Sequence, residues 1–241
     1  MTFLMMLVGT PVFMRGAFYR DRIEENRARE LRLQREALAA QVQALQARIQ
    51  PHFLFNSLNT VASLIGEDPE RAERALEKLS DIFRYSLDAS SQAVVPLAEE
   101  LESVEGFLEL ETLRFPDRLS VALHVEPGIG AVPVPPLCLQ PLVENAVQHA
   151  IAPRQERGRL EVEIRSREGE LQVRVEDDGP GPGGSSHRGS GSALADLQRR
   201  LALLYGDRAS LEIDRGDLGG FRAQLRLPLD GTPVTMGQQD E

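Results

Sequence analysis

The residues of this 241-residue chain whose type and setting suit chemistry fall in three places. The first is QPHFLFN at 50–56, where an imidazole directly follows a proline. A proline inside a helical pattern is costly, so something at His52 should justify it. The second is PLVENAVQHA at 141–150, which sets Glu144, Asn145 and His149 on a helix carrying Leu142, Val143 and Ala146 as core contacts. Asn145 offers a neutral oxygen, suited to a magnesium ion that keeps some waters and is otherwise held by nucleotide phosphates. A solvated polar face is the plainer alternative. His149, four residues on, shares the face and could touch a phosphate, while a zinc site would lack partner ligands. The third place is the pair VEDDGPGPGG and HRGSGSAL, a glycine-rich polar loop between a strand and a helix. Glycines let backbone amides approach a phosphate, and a following helix N-terminus adds a favourable dipole, although such stretches also serve simply as mobile loops. Asp177, just past an alternating strand, could accept the exocyclic amine of a purine; an Asp before Gly is also a common turn residue.

The elements that must position these groups change character near residue 119. Before it the periodicity is helical. Leu38, Val42, Leu45 and Ile49 step by four, three and four, the seam of a two-stranded coiled coil. Pro51 interrupts that line at a cost of about 3 kcal/mol in a helix interior. Beyond it the apolar line resumes in a new phase at Leu54, Leu58, Val61 and Ile65, leaving His52, Asn56, Asn59 and Ser63 on a polar line of their own. The phase jump is expected to turn His52 away from the core and offer it to a partner. Asp68 and Pro69 start a second helix with Ala72, Leu76, Leu79, Phe83 and Leu87 as its apolar line, so residues 52–88 predict a helical hairpin. Two such hairpins would make a four-helix bundle. Pro96 opens a third, very acidic helix with Leu97, Leu101, Val104, Phe107 and Leu108 at helical spacing.

After residue 119, LSVALHVE, LEVEIRS, LQVRVED, SLEIDR and FRAQLRL alternate apolar and polar residues, as half-buried strands do. REGE and RGDLGG suit hairpin turns. Helical patterns at LCLQPLVENAVQHAI and SALADLQRRLALLYG interrupt the strands, which predicts an α+β sandwich with helices on one face of an antiparallel-rich sheet.

Composition narrows the partners. A formal charge of −10 argues against nucleic acid as a ligand. The single cysteine, Cys138, sits in an apolar stretch and fits a core thiol in a reducing compartment. At the N-terminus, FLMMLVGTPVFM is apolar but shorter than the roughly 20 residues a spanning helix needs. Five arginines between Arg15 and Arg29 follow it, so membrane contact from the cytoplasmic side is the expectation.

Together the motifs resemble sensor histidine kinases of the LytS/YehU class. ARIQPHFLFNSLNTV is similar to their phosphoacceptor segment, and RFPDRL, PPLCLQPLVENAVQHA, VEDDGPG and GSGSALADLQRRLALLYGD follow in that family's order over residues 45–228. The residue patterns upstream give a membrane-contacting segment (1–19) and a coiled-coil linker helix (20–50), and the resemblance implies a dimerisation and phosphotransfer hairpin (51–95). A Bergerat-type ATP-binding domain (96–229) and a disordered tail (230–241) would complete the chain. It also implies ATP and Mg2+ as cofactors, a homodimer, and a response regulator as protein partner. By the same resemblance, His52 would accept the γ-phosphoryl group, Asn145 would hold magnesium, and Asp177 would bind the adenine amine. Gly179 and Gly181 would shape the turn beneath the base, and Gly189 and Gly191 would belong to a lid over the phosphates. Three positions depart from the pattern. Ala193 replaces a lid glycine, Asp196 replaces an asparagine, and Pro141 stands where related ATPases carry an acid. The departures leave the general base unassigned. They also keep two alternatives open: a pseudokinase serving as an interaction module, and an ATPase of the gyrase or Hsp90 type without a phosphohistidine.

Overall fold

The structure, a computed structural model, describes residues 51–89, 92–181 and 191–233. The expected membrane-contacting segment, the linker helix, Gly189 and the tail past residue 233 lie outside the described residues. Helices α1 (Pro51–Glu67) and α2 (Pro69–Asp88) span the residues expected to make the hairpin. Asp68 joins them: its carboxylate accepts the Arg71 N–H at 3.0 Å, and Pro69 occupies a first-turn position whose N–H would have no helical partner.

The buried faces of this hairpin differ from the expected lines. In α1 the buried residues are Phe53, Ser57 and Val61, while Leu58 and Ile65 are exposed. In α2 they are Ala72, Ala75, Leu79, Ile82 and Ser86, while Leu76 and Leu87 are exposed. The reason is α3 (Leu97–Arg114), which packs along α2 in the same chain. Gly106 of α3 faces Ile82 of α2, and the rings of Phe53 and Phe107 meet at 5.0 Å between centroids. Each hairpin helix carries two apolar stripes, and the smaller-residue stripe of α2 is the one that fits closely against a neighbouring helix.

All five expected strands form one sheet: β2 (Leu119–Val125), β4 (Gly158–Arg167), β5 (Glu170–Asp177), β6 (Ser210–Arg215) and β7 (Phe221–Pro228), in the order β2-β4-β5-β7-β6. The β2–β4 pair is parallel and the rest are antiparallel. Between β4 and β5, Glu168 and Gly169 both take positive φ, 54° and 82°, as a two-residue hairpin turn requires. Register puts Val162 beside Val175, and Val173 beside Leu225, on one buried face. The opposite face is charged, with Arg174 bridging Glu163 at 2.9 Å.

Helices α4 (Gln140–Ala146) and α5 (Gly191–Tyr205) complete the α+β sandwich, and α4 packs on β5. A two-residue ladder of β1 (Val95–Pro96) and β3 (Pro133–Val134) has no periodic signature in the sequence. The helix expected over 137–151 is shorter than its pattern. It starts at Gln140 and ends as a π-helix over Val147–Ile151.

Candidate functional site

Strand β5 is central in the sheet, and it ends at Asp177, which is 1% exposed. Its Oδ1 accepts the Gly179 N–H at 2.8 Å and the Phe221 N–H at 3.1 Å. Its Oδ2 is buried and has no hydrogen-bond partner among the described residues. Burial pushes the Asp177 carboxyl above the usual range, against the two amides that favour its charge; nearby Asp178 adds to the rise and Arg154 opposes it. A buried acceptor left without a donor is costly, so this oxygen is suited to a ligand's N–H.

The surroundings pack closely around this carboxylate, and glycines permit the approach. A Cβ on Gly179 would stand 2.6 Å from Ala150 Cβ, and one on Gly220 would stand 2.3 Å from Asp177 Oδ1. Gly181 has φ +79°, which glycine adopts without strain. Because Ala150 abuts Gly179, the helical segment carrying Asn145 and His149 lies against the Asp177–Gly181 loop. π-Helical turns of this kind concentrate at functional sites. Asn145 is 6% exposed. No cluster of three or more metal-ligating side chains occurs among the described residues.

Both ends of this helical segment are held by charged side chains that its sequence pattern does not reveal. At the N-terminal end the Glu100 carboxylate accepts the N–H groups of Leu137, Cys138 (3.0 Å) and Leu139 (2.9 Å), together with the Tyr85 hydroxyl. At the C-terminal end Arg118 donates to the carbonyls of Ile151 (3.2 Å) and Arg154. Arg154 in turn donates to the Asp178 carbonyl at 2.8 Å and its carboxylate at 2.9 Å. Burial pushes the Glu100 carboxyl above its usual range, against the Tyr85 hydroxyl and the three amides that favour its charge; its ionised form at the N-terminus, like the Arg118 cation at the C-terminus, complements the helix dipole. Glu100 lies in a helix that reads only as acidic, so its burial leaves no sequence signal; Arg118 stands in RFPDRL, which marks a motif but not this contact.

The remaining candidates fall as follows. His52 lies in the first turn of α1, and Gly191 opens α5. Asp196 faces solvent and bridges Arg199 at 3.0 Å. Ala193 is half-buried in the same helix. Glu144 accepts Gln140 Nε2 at 2.7 Å, and no acid stands one turn before Asn145, where Pro141 sits. A groove of about 650 Å³ between α2, α3 and β2 includes none of these residues.

Residues 40–119 match the family described as Histidine kinase. Residues 136–231 match the family described as Histidine kinase-, DNA gyrase B-, and HSP90-like ATPase. Sensor protein LytS of Enterococcus faecalis is 35% identical over 202 residues, 79% of this chain and 34% of that protein. Sensor protein LytS of Staphylococcus haemolyticus is 37% identical over 191 residues, 75% of this chain and 33% of that protein. The chain thus spans about a third of the length of the curated relatives it matches. Among solved structures, the histidine kinase domain from the Erythrobacter litoralis EL346 blue-light activated histidine kinase aligns at 21% identity with a TM-score of 0.45. That alignment covers 80% of this chain and 93% of that one, and is too loose to bear on any residue.

Proposed function

Because the chain belongs to the sensor histidine kinase family, we propose that it is an ATP-dependent protein-histidine kinase of a two-component system, with His52 as phosphoacceptor. The observation that carries the nucleotide reading is the divided carboxylate of Asp177. One oxygen accepts from two backbone amides, and the other is buried without a donor among the described residues, an acceptor that an N–H such as the adenine 6-amino group would satisfy. Gly179 and Gly181 form the floor beneath the base, and His149, Gly189 and Gly191 line the phosphate side. Asn145 holds magnesium, which when bound neutralises charge on the phosphates.

In the transfer an imidazole nitrogen of His52 forms a bond to the γ-phosphorus while the bond from that phosphorus to the bridging oxygen breaks. ADP leaves with the electron pair, and the imidazole proton passes to solvent. Positioning and charge neutralisation supply most of such a step, which is why few protein groups are needed. The phosphoryl group then moves to an aspartate of a response regulator. The exposed Phe55, Leu58, Ile65, Leu76 and Leu87 on the hairpin suit pairing with a second copy in a homodimer. No helix among the described residues is long and apolar enough to cross a membrane; we place membrane contact in residues 1–19 and the kinase on the cytoplasmic side, on the strength of the apolar run and the arginines that follow it. The net charge of −10 leaves nucleic acid out of the partners.

The test is incubation of the purified chain with labelled ATP and magnesium. The expected product is acid-labile, alkali-stable phosphate that disappears in His52→Gln. Label retained in that variant refutes the assignment. A pseudokinase would take up no nucleotide in equilibrium dialysis, and a gyrase-type ATPase would release phosphate equally well with and without His52.

A further inference from the structure

One buried cluster is not used by the reaction as described: Tyr85 at the end of α2, Glu100 in α3, the loop Leu137–Leu139, and Arg200 in α5. Glu100 is 1% exposed and is surrounded by donors. Cys138 and Leu139 give their N–H groups to Oε2, and Leu137 N–H and the Tyr85 hydroxyl converge on Oε1. Arg200 donates to the Leu137 carbonyl at 3.0 Å. Leu137 itself has φ +55°, a region that a branched side chain rarely occupies. Such a conformation persists where its surroundings over-determine it, and here Glu100 holds its N–H while Arg200 holds its C=O. The loop leads straight into α4, which carries Asn145. Three bodies therefore meet at one carboxylate: the hairpin helix α2, the nucleotide-side helix α4, and, through Leu137, the helix α5 that begins at Gly191.

We propose that Glu100 is a positioning residue for the helix bearing Asn145, and that the Tyr85 hydroxyl is the hairpin's hold on it, fixing the His52-bearing hairpin relative to the bound nucleotide. The inference rests on the kinase reading above. The division of labour follows from the geometry. Removing the Tyr85 hydroxyl leaves three amides on Glu100, so the loop and α4 keep their place; α2 stays packed on α3, and what is lost is the hydrogen bond that fixes its end against the carboxylate. Replacing Glu100 by Gln puts an amide N–H₂ against backbone N–H groups, and the loop itself must move.

The test is autophosphorylation of the full chain at varied ATP, together with equilibrium binding of ATP. For Tyr85→Phe the expected result is about a tenfold fall in the rate at saturating ATP, the scale of one hydrogen bond to a carboxylate, with KM for ATP and equilibrium affinity within about twofold. For Glu100→Gln the expected result is a rise in KM and a matching loss of affinity of about tenfold or more. A general loss of fold in Tyr85→Phe would lower binding and rate together and overturns the inference. So does a Tyr85→Phe rate equal to that of the unaltered chain, or a Glu100→Gln affinity that is unchanged. An unaltered chain that takes no label overturns the kinase reading, and this inference with it.

Discussion

Asp177→Asn isolates the atom on which nucleotide recognition depends. Oδ1 is fixed by the N–H groups of Gly179 and Phe221, so the asparagine must keep its oxygen there and place its N–H₂ where the orphaned Oδ2 now lies. A donor would then face the adenine amine, itself a donor. The variant loses a charge-assisted hydrogen bond, about 1.5–3 kcal/mol, and leaves a buried donor unmet at a further 1–3 kcal/mol or so. The sum corresponds to roughly a hundredfold or greater loss in ATP affinity. The same N–H₂ suits a 6-oxo purine, so inosine triphosphate should bind the variant better than ATP does, reversing the order in the unaltered chain. Stability should move the other way. Burial raises the folded-state pKa of Asp177, so above that value the folded protein carries a penalty for the charge that the unfolded chain does not. Asparagine removes the penalty, and Tm should be unchanged or higher. Equilibrium titration with both nucleotides, beside a thermal melt, checks all of this. If a folded variant loses ATP and inosine triphosphate equally, or keeps ATP within about threefold, the argument from the open oxygen is wrong.

Two further outcomes are expected. Gly179→Ala brings a methyl within 2.6 Å of Ala150 Cβ and 2.8 Å of its Cα, so the floor and the π-helix must separate. The strain should cost about 1–3 kcal/mol and weaken ATP binding more than tenfold; a variant with unaltered melting and binding contradicts the close approach. Glu111 is buried, and that burial outweighs its pairing with Arg114 at 3.2 Å, so its folded-state pKa is raised above 4.5. A raised folded value means the folded state binds the proton more readily, and stability is gained as pH falls through that value towards 4.5. Against Glu111→Gln, which does not titrate, the unaltered chain should therefore gain in relative stability between about pH 7 and that region, read by denaturant unfolding; a flat difference refutes the direction.

Local rules were enough for the elements and the motif residues. Alternation marked all five strands of the sheet, Asp68 and Pro69 marked the break between α1 and α2, and Asp177 stood out as a carboxylate at a strand end. Periodicity could not decide which stripe of a two-striped helix faces its neighbour. Leu76 and Ala75 are both apolar, and only α3, folded back against α2, buries the second and leaves the first exposed. Nor could it distinguish Glu100 from the other acids of α3. Its burial depends on amides at Leu137–Leu139, nearly forty residues away, and on a tyrosine in another helix. Spacing along a chain reports which residues share a face, because that is fixed by backbone geometry. Whether a charged group on that face can lose water depends on donors from distant segments, and those converge only once the chain has folded.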